Sequence, residues 1–388
     1  MDDPESDPPF KRVAFDRYGP GRPDGAPEAH TVRPLLQLVH FPLSDWIDSH
    51  ADCRYQLGKS GMVGVIEPPR PTPRQLRRRT ADEWTDELRR VLADHLRVDP
   101  SRLFLTHGAS EANSWVMFFT AREARSGSHR CRVQLPEYPP LLEVARLAGF
   151  RPHPSPGRVP LALVSLPRNP EGVGWTSQDL SEWADGARTL LVDETFREFS
   201  GRPSRAEAGD RGVWTTGSFT KFYGADSLRV GFAVAPPEAA EEFGRFHAAV
   251  ADDLPPASAA AAVDLLNHWG PISRRVRSLF DRNRTALRRA LPAVPSLDAP
   301  VYFDRDPNGD GDRLANRCLR ASVLVCPGSL FGAPEGVRIC LTRPTFPADL
   351  EAYLEVRGGA DRPATAAGAT ARARRRRGDT VRARAATS

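Results

Sequence analysis

The sequence predicts an α/β fold in which a mostly parallel sheet is flanked by helices, together with a smaller α+β domain. Three observations predict it. Short apolar runs alternate with helical patterns from residue 103 to residue 235. After Asp253 this alternation gives way to long helical patterns rich in Arg, Ala and Leu, and then to mixed strands and turns. The 388 residues, 40% of them hydrophobic, are enough for two domains.

The individual elements follow from the same patterns. Predicted strands are short apolar runs, each followed by a turn, at 103–106, 131–135, 161–166, 189–192, 213–216 and 230–235. Helical patterns at 111–125 and 139–148 lie between strands, as is typical of βα units. Long helices are expected over 257–291, and strands with turns over 301–341.

These patterns also predict the domain boundaries. We expect a large domain over 61–255 and a small C-terminal domain over 256–356. Residues 31–60 are expected to form an N-terminal arm and part of the small domain. Composition predicts disorder at 1–30, which is rich in Pro, Gly and Asp, and in the Arg-rich tail at 357–388.

Positive charge is concentrated in the tail. The chain has a formal net charge of +5, but residues from 357 onward contain nine arginines and two aspartates, a net of +7, which leaves −2 for the rest. A nearly neutral body lacks the basic face that a nucleic-acid partner would need, so we expect none. The arginine run at 374–377 could bind an acidic partner, although a solvated tail is the simpler interpretation.

Cysteine usage and hydropathy indicate a cytoplasmic protein. The five cysteines are odd in number and contain no CxxC pair, so neither a disulfide framework nor a metal site is expected. No apolar run approaches the roughly 20 residues of a membrane helix, so we expect no membrane partner. The acidic, proline-rich N-terminus does not resemble a secretory signal.

Small and polar residues follow the predicted strands, at the places where parallel sheets bind ligands. They are Gly108, Ala109, Ser110, Tyr138, Asn169, Asp193, Ser218 and Lys221. The lysine is notable because the chain has only three among its 54 basic residues, the others being Lys11 and Lys59. We expect these side chains to face one crevice.

Elementary chemistry indicates charged partners for the 108–110 segment, for Asp193 and for a further residue, Arg338. The 108–110 segment opens a helix predicted to begin near Glu111, where free N–H groups and the helix dipole favour an anion. Asp193 ends an apolar strand, where an unpaired carboxylate would be costly. Arg338 lies among apolar neighbours in a strand pattern, so its guanidinium calls for a bidentate anion.

The motifs carrying these residues resemble those of a known family. The densest are LLVDETFREF at 190–199 and GSFTKFYGADSLRVGF at 217–232, accompanied by THGASEAN, PEYPPL, LPRNPEG and VRICLTRP. In this order and spacing the chain resembles the class I/II aminotransferases, which are pyridoxal-phosphate (PLP) enzymes of fold type I. The resemblance covers about residues 41–355.

The resemblance implies a role for each residue. Lys221 would form a Schiff base with PLP and then act as the proton-transfer base, while Asp193 would pair with the pyridine nitrogen. The phosphate would be held by Gly108, Ala109, Ser110, Ser218 and Arg229. Tyr138 would stack on the ring, and Asn169 would bond its hydroxyl. Arg338, Gly61 and Asn169 would bind the carboxylate end of an amino-acid substrate.

Three positions depart from the family pattern. Phe196 stands where many relatives have a tyrosine, so it would contact the cofactor without that hydrogen bond. Ser227 replaces a usual glycine in the loop before Arg229. The 62–74 segment lacks the tyrosine with which many relatives reach the phosphate of a neighbouring subunit. A homodimer remains the expectation, without that particular contact.

The reaction itself is predicted with alternatives. The first is an aminotransferase acting on an α-amino acid. The region around Phe196 and SFTKFY also resembles threonine-phosphate decarboxylase, and FPLSDWIDSHADCRYQLGKSGM at 41–62 resembles the N-terminus of capreomycidine synthase, so a decarboxylase or an elimination/cyclisation enzyme is the alternative. A non-catalytic PLP-binding regulator is least favoured, because only about 30–40 residues precede the resemblance, too few for a helix-turn-helix module.

Overall fold

A seven-stranded sheet is the largest element of the computed structural model, which describes residues 42–123 and 129–359. The strands are β1 Tyr55–Gln56, β2 Leu103–Thr106, β3 Arg130–Val133, β4 Arg151–His153, β5 Val159–Ser165, β6 Ala187–Asp193, β7 Val213–Ser218, β8 Gly231–Val234, β9 Val301–Arg305, β10 Val323–Leu324, β11 Cys326–Pro327 and β12 Gly336–Cys340. The helices are α1 Pro42–Ser49, α2 Pro73–Leu76, α3 Ala81–Leu96, α4 Ala109–Glu123, α5 Pro139–Leu147, α6 Ser177–Ala184, α7 Arg197–Ser200, α8 Ala240–Val250, α9 Pro256–Asn267, α10 Trp269–Ala290, α11 Gly311–Arg320 and α12 Phe346–Gly358.

The large sheet is mostly parallel, as predicted. Its strand order is β2-β8-β7-β6-β5-β3-β4, and only β8 runs antiparallel to its two neighbours. In the register of the central strands, Ser165, Asp193 and Thr216 lie side by side at the carboxyl ends of β5, β6 and β7. The polar residues that follow these strands therefore share one edge of the sheet.

Alternating side chains bury the two faces of this sheet under helices. In β5, Leu161 and Leu163 pack with α4, α5 and α8, while Ala162 and Val164 pack with α6 on the other face. This period of two explains why strands buried on both faces appear in the sequence as continuous apolar runs. A separate cluster joins α3, α9 and α10 to the β2–β8 side of the sheet.

Residues after 255 form long helices and a second sheet. Helices α9 and α10 are separated at His268, and β11, β12 and β9 form an antiparallel sheet with β12 in the middle. The short strand β1 pairs in parallel with β10, so the segment just before Gly58 joins this part of the molecule. Arg338 lies on the central strand β12.

Some elements differ from the prediction at their ends. Helix α4 begins at Ala109 rather than near Glu111, so Ser110 lies in its first turn instead of capping it. Strand β4 was not predicted, because Arg151-Pro152-His153 has neither apolar alternation nor a β-branched residue. Helix α12 extends to Gly358, since the Arg357 guanidinium is held by the Asp304 carboxylate at 2.6 Å.

The predicted disordered segment at 1–30 lies outside the described residues, as does the tail from 360 onward. Across 42–123 and 129–359, none of the helices has the length and apolar character that crossing a bilayer requires.

Candidate active site

Asp193 is held at the end of β6 by two hydrogen bonds. Its side chain is buried; Oδ2 accepts from Asn113 Nδ2 at 2.9 Å and Oδ1 from the Thr195 N–H at 2.9 Å. Asn113, on α4, accepts in turn from Thr216 Oγ1 at 2.6 Å. This chain of bonds fixes the orientation of the carboxylate. Sequence reasoning missed Asn113 and Thr216, although Asn113 ends the THGASEAN motif.

Lys221 lies three residues beyond the end of β7 and is half-buried. Burial lowers the pKa of its amine below the ordinary value of 10.5, and the positive charge of nearby Arg338 lowers the pKa further. The negative charges of Asp226 and Asp193 act in the opposite direction without reversing the shift. A lysine in this setting loses its proton more readily than an exposed one, which is what an amine nucleophile needs.

Gly61 lies directly against this lysine. The Met62 N–H donates to the Lys221 carbonyl at 2.9 Å, and a Cβ atom placed on Gly61 would lie 3.3 Å from the Thr220 carbonyl oxygen. The predicted substrate-side segment and the predicted cofactor lysine are therefore adjacent. Lys59, two residues earlier, is exposed.

The start of α4 forms a glycine-lined hollow beside Arg229. Gly108 has φ +101°, and a Cβ atom there would come within 2.9 Å of Arg229 Nη2. Gly231 lies against the same backbone, since a Cβ atom on it would be 2.4 Å from the carbonyl carbon of Gly108. Arg229 itself has φ 52° and donates to the His107 carbonyl at 3.2 Å. Gly231 was not predicted from the sequence as part of this hollow.

The remaining predicted phosphate contacts flank this hollow. Ala109 is half-buried at the first position of α4, and Ser110 is exposed in its first turn. Ser218 ends β7, and its hydroxyl accepts from the Thr220 N–H at 3.3 Å. Together these groups offer backbone N–H donors, hydroxyls and a guanidinium to an anion at a helix N-terminus.

Arg338, on β12, is a buried cation. It is 2% exposed, donates from Nη2 to the Gly58 carbonyl at 2.8 Å and from Nη1 to Asn169 Oδ1 at 3.3 Å, and lies 4.9 Å from the centre of the Phe331 ring. Its Nε has no hydrogen-bond partner among the described residues. Neither contacting oxygen belongs to a carboxylate, so this guanidinium has unused capacity for an anion.

Tyr138 and Asn169 lie between the carboxylate and the guanidinium. The pKa of the Tyr138 phenol is raised by burial and then by the charge of Asp193, while Arg338 lowers it. Asn169 is buried, and its N–H donates to Ser165 Oγ at 3.0 Å. Phe196 makes an apolar contact rather than a polar one. Its ring is buried and packs against the ring of Phe199, with 6.1 Å between centroids.

A groove among the described residues lies elsewhere. A cavity of about 1560 Å³ is lined by the starts of β6 and β7, at Ala187 and Val213, and so lies at the opposite edge of the sheet from Asp193. Strand-end geometry, rather than cavity size, identifies the candidate site.

The residues present fit PLP. Lys221 offers an amine of lowered pKa, Asp193 a buried carboxylate for a protonated ring nitrogen, and the 108–110 hollow with Arg229 a place for a phosphate. Arg338 offers an incompletely bonded guanidinium for a carboxylate. The individual roles of these residues stay predictions.

Comparison with known proteins agrees with this chemistry. The family model "Aminotransferase class I and II" matches residues 74–352, more than half of the chain. Capreomycidine synthase of Streptomyces vinaceus is 27% identical over 372 residues, covering 83% of this chain and 94% of that enzyme. Histidinol-phosphate aminotransferase of Haloarcula marismortui is 30% identical over 190 residues, and the match spans 47% of this chain and about half, 51%, of that protein.

A solved structure shares the fold. Aspartate aminotransferase of Thermus thermophilus superimposes with a TM-score of 0.63 at 20% identity, covering 80% of this chain and 93% of that one. The predicted family, fold type, enzyme class and PLP cofactor are thereby confirmed.

Proposed function

We propose that this protein, which belongs to the class I and II aminotransferase family, transfers the amino group of an α-amino acid to a keto-acid acceptor. The observation that supports this best is that Asp193 and Arg338 both lie close enough to Lys221 to act on its charge. The lysine has a pKa lowered by burial and by Arg338, and both charged neighbours act on it directly. Cofactor amine, ring-nitrogen partner and carboxylate partner are thus within reach of one small molecule.

Each residue contributes a distinct step. Arg338 and the backbone N–H of Gly61 bind the substrate carboxylate, which points the amino end toward Lys221. Bound PLP supplies an electron sink for the electrons released when the substrate's Cα–H bond breaks. Asp193 would pair with the protonated ring nitrogen of the bound cofactor, and the Lys221 amine would accept and return the Cα proton of the substrate. Tyr138 and Asn169 orient the ring.

The test uses the purified protein with PLP and single amino acids, first without an acceptor. We expect a visible chromophore that bleaches once, stoichiometrically, with release of one keto acid per site, and that returns when a keto acid is added. Lys221→Ala should abolish both changes, whereas Lys59→Ala, which alters an exposed lysine, should leave them intact. A wild-type protein without a chromophore after PLP addition would refute the proposal.

A second candidate is an elimination or cyclisation reaction on the same cofactor. It is supported by the match to capreomycidine synthase, which spans nearly the whole of that enzyme. The same experiment separates the two. Repeated turnover without an acceptor, with the chromophore retained at the end, would favour elimination or cyclisation, and loss of carbon dioxide would favour decarboxylation.

Assembly and location remain proposals of the same kind. We propose a homodimer that acts on a small-molecule amino acid in the cytoplasm, without a nucleic-acid partner. The resemblance to dimeric enzymes, the near-neutral body and the unpaired cysteines support this. Sedimentation of the holoenzyme in the micromolar range would test the dimer, because a single species at monomer mass would contradict it.

A further inference from the structure

A fully buried ion pair lies beneath the candidate site. Arg168 Nη1 is 3.0 Å from Glu137 Oε2, and the two side chains are 1% and 0% exposed. Glu137 follows β3 and immediately precedes Tyr138, whereas Arg168 follows β5 and immediately precedes Asn169. The pair therefore joins two loops that each present a predicted ligand-contacting residue.

The carboxylate is saturated with hydrogen bonds from these loops. Oε1 accepts from the Tyr138 N–H at 2.7 Å and from the Ser165 hydroxyl, and Oε2 accepts from the Ser165 N–H at 2.9 Å as well as from Arg168. The Ser165 hydroxyl oxygen in turn accepts from the Asn169 N–H at 3.0 Å. Glu137 thus fixes the backbone of Tyr138 directly and that of Asn169 through the Ser165 hydroxyl.

The guanidinium clamps the two loops together. Arg168 Nη2 donates to the carbonyls of Gln134 at 2.8 Å and Pro136 at 2.6 Å, and Nε donates to Glu171 at 3.1 Å. Its flat face lies 5.2 Å from the centre of the Trp175 ring. A planar group with donors on three sides meets this geometry, whereas a lysine ammonium would not.

Glu137 also contacts the segment that joins β11 to β12 in the second sheet. The Glu137 N–H donates to the Phe331 carbonyl at 3.2 Å, and the Phe331 ring is the one that lies against Arg338. Three residues with predicted contacts to cofactor or substrate are therefore linked to Glu137: Tyr138 and Asn169 through its carboxylate, and Arg338 through its backbone N–H and Phe331.

Neither member of the pair is placed to touch a ligand. Glu137 has no exposed surface, and each of its oxygens already accepts two hydrogen bonds. Burial raises the pKa of Glu137 to about 7, with Arg168 and the donors from Ser165 and Tyr138 opposing that rise. Burying such a pair brings little net stability compared with apolar residues of the same volume. Its position points instead to the geometry of the site.

We propose that the Glu137–Arg168 pair is a positioning device that sets Tyr138, Asn169 and Arg338 relative to one another for binding of the amino-acid substrate. The inference rests on the proposed function, since it concerns how well the same site binds its substrate. Glu137 and Arg168 act through their neighbours.

The test compares Glu137→Gln and Arg168→Lys with Asp304→Asn, all as PLP-loaded enzymes. Asp304→Asn is the control, because it weakens another ion pair with a buried carboxylate, that of Asp304 on β9 with the partly exposed Arg357 at 2.6 Å. For each variant, kcat, KM for the amino acid, the thermal midpoint and the visible circular dichroism of bound cofactor are measured at pH 8.

For Glu137→Gln we expect KM to rise about tenfold or more, kcat/KM to fall on the order of 100-fold and the cofactor dichroism to weaken, since a misplaced contact shell costs about this much. Arg168→Lys, which keeps the charge and loses the fork, should show a smaller change in the same direction. Asp304→Asn should lower only the thermal midpoint.

A Glu137→Gln enzyme that loses thermal stability as Asp304→Asn does, with KM and dichroism unchanged, would overturn the inference while leaving the proposed function intact. If Glu137→Gln does not fold, unchanged KM and dichroism in Arg168→Lys decide the matter in the same way. A wild-type enzyme without a chromophore would instead remove the proposed function and this inference with it.

Discussion

The surroundings of Lys221 leave more of its amine in the neutral, nucleophilic form at ordinary pH than an exposed lysine would have. Lys221 is half-buried beside a guanidinium, and both conditions disfavour its ammonium form. Only Arg338 among the charges near it is also a predicted substrate contact. The same arginine is therefore expected to serve the empty site, by lowering the pKa of the lysine, and the filled site, by binding a carboxylate.

Replacing Arg338 should shift the pH at which the apoenzyme captures PLP. Capture requires the neutral amine, so a lowered pKa extends it to lower pH; removing the cation in Arg338→Gln raises the pKa and should move the midpoint to higher pH. Arg338→Lys keeps the charge and should keep the midpoint near that of the wild type. Reductive trapping of the cofactor on Lys221 at a series of pH values measures this. Identical midpoints in all three proteins would contradict it.

Asn113 is expected to matter for catalysis although it was not predicted from the sequence. Its amide holds Asp193, and a hydrogen bond to a charged group contributes about 1.5–3 kcal/mol, so Asn113→Ala should lower kcat/KM about 10- to 100-fold. Thr216→Val, one bond further away, should have a smaller effect in the same direction. Asn316→Ala, on an exposed position of α11, is the control and should change nothing. Steady-state kinetics that place Asn113→Ala with the control would rule this role out.

At the scale of elements, the start of α4 shows how two glycines let strands and a helix meet. Gly231, the first residue of β8, contacts the backbone of Gly108 so closely that any side chain would collide with it. This contact places the N-terminus of α4 beside Arg229, which lies two residues before the start of β8. The predicted phosphate site therefore depends on backbone proximity as much as on the side chains that surround it.

Gly231→Ala should accordingly weaken PLP binding by at least about tenfold, because the new methyl group must displace β8 or α4 and widen the hollow. The control is Gly244→Ala, within α8, where the nearest atom to a new Cβ would be 3.5 Å away and where alanine favours the helix. That variant should bind PLP normally and melt at the same or a slightly higher temperature. Equilibrium titration of the apoenzymes with PLP decides, and equal affinity in both variants would refute the close-packing argument.

Local patterns predicted the six main strands to within two residues at each end, because strands buried on both faces are unbroken apolar runs. They did not indicate that β8 runs antiparallel to its neighbours, since direction depends on connections rather than composition. Strand β4 escaped because its three residues are polar or proline. The residues predicted for the site all lie in sequence motifs. Glu137 and Arg168 lie in the same motifs, but the burial of these two charged side chains is visible only in the folded structure.

At the scale of the whole molecule, the site joins segments that are far apart in the chain. Arg338 bonds Asn169, 169 residues earlier, and Gly58, 280 residues earlier. No spacing rule in the sequence predicts such contacts, because they arise only when the three-stranded sheet packs against the strand ends of the large one. A ligand that bridges these segments should therefore stabilise the folded chain as a unit.

Thermal denaturation should show two separable increments. PLP at about 100 times its Kd should add about 2.7 kcal/mol, which for a chain of this size raises the midpoint by about 4 °C, and Arg229→Gln should reduce this increment. A carboxylate analogue of the amino acid, added to the PLP-saturated protein, should give a further rise that Arg338→Lys loses while keeping the first. The two variants control each other, because each should affect one increment and spare the other. If Arg338→Lys abolished the PLP increment and left that of the carboxylate, the assignment of cofactor and substrate to the two sides of the crevice would have to be reversed.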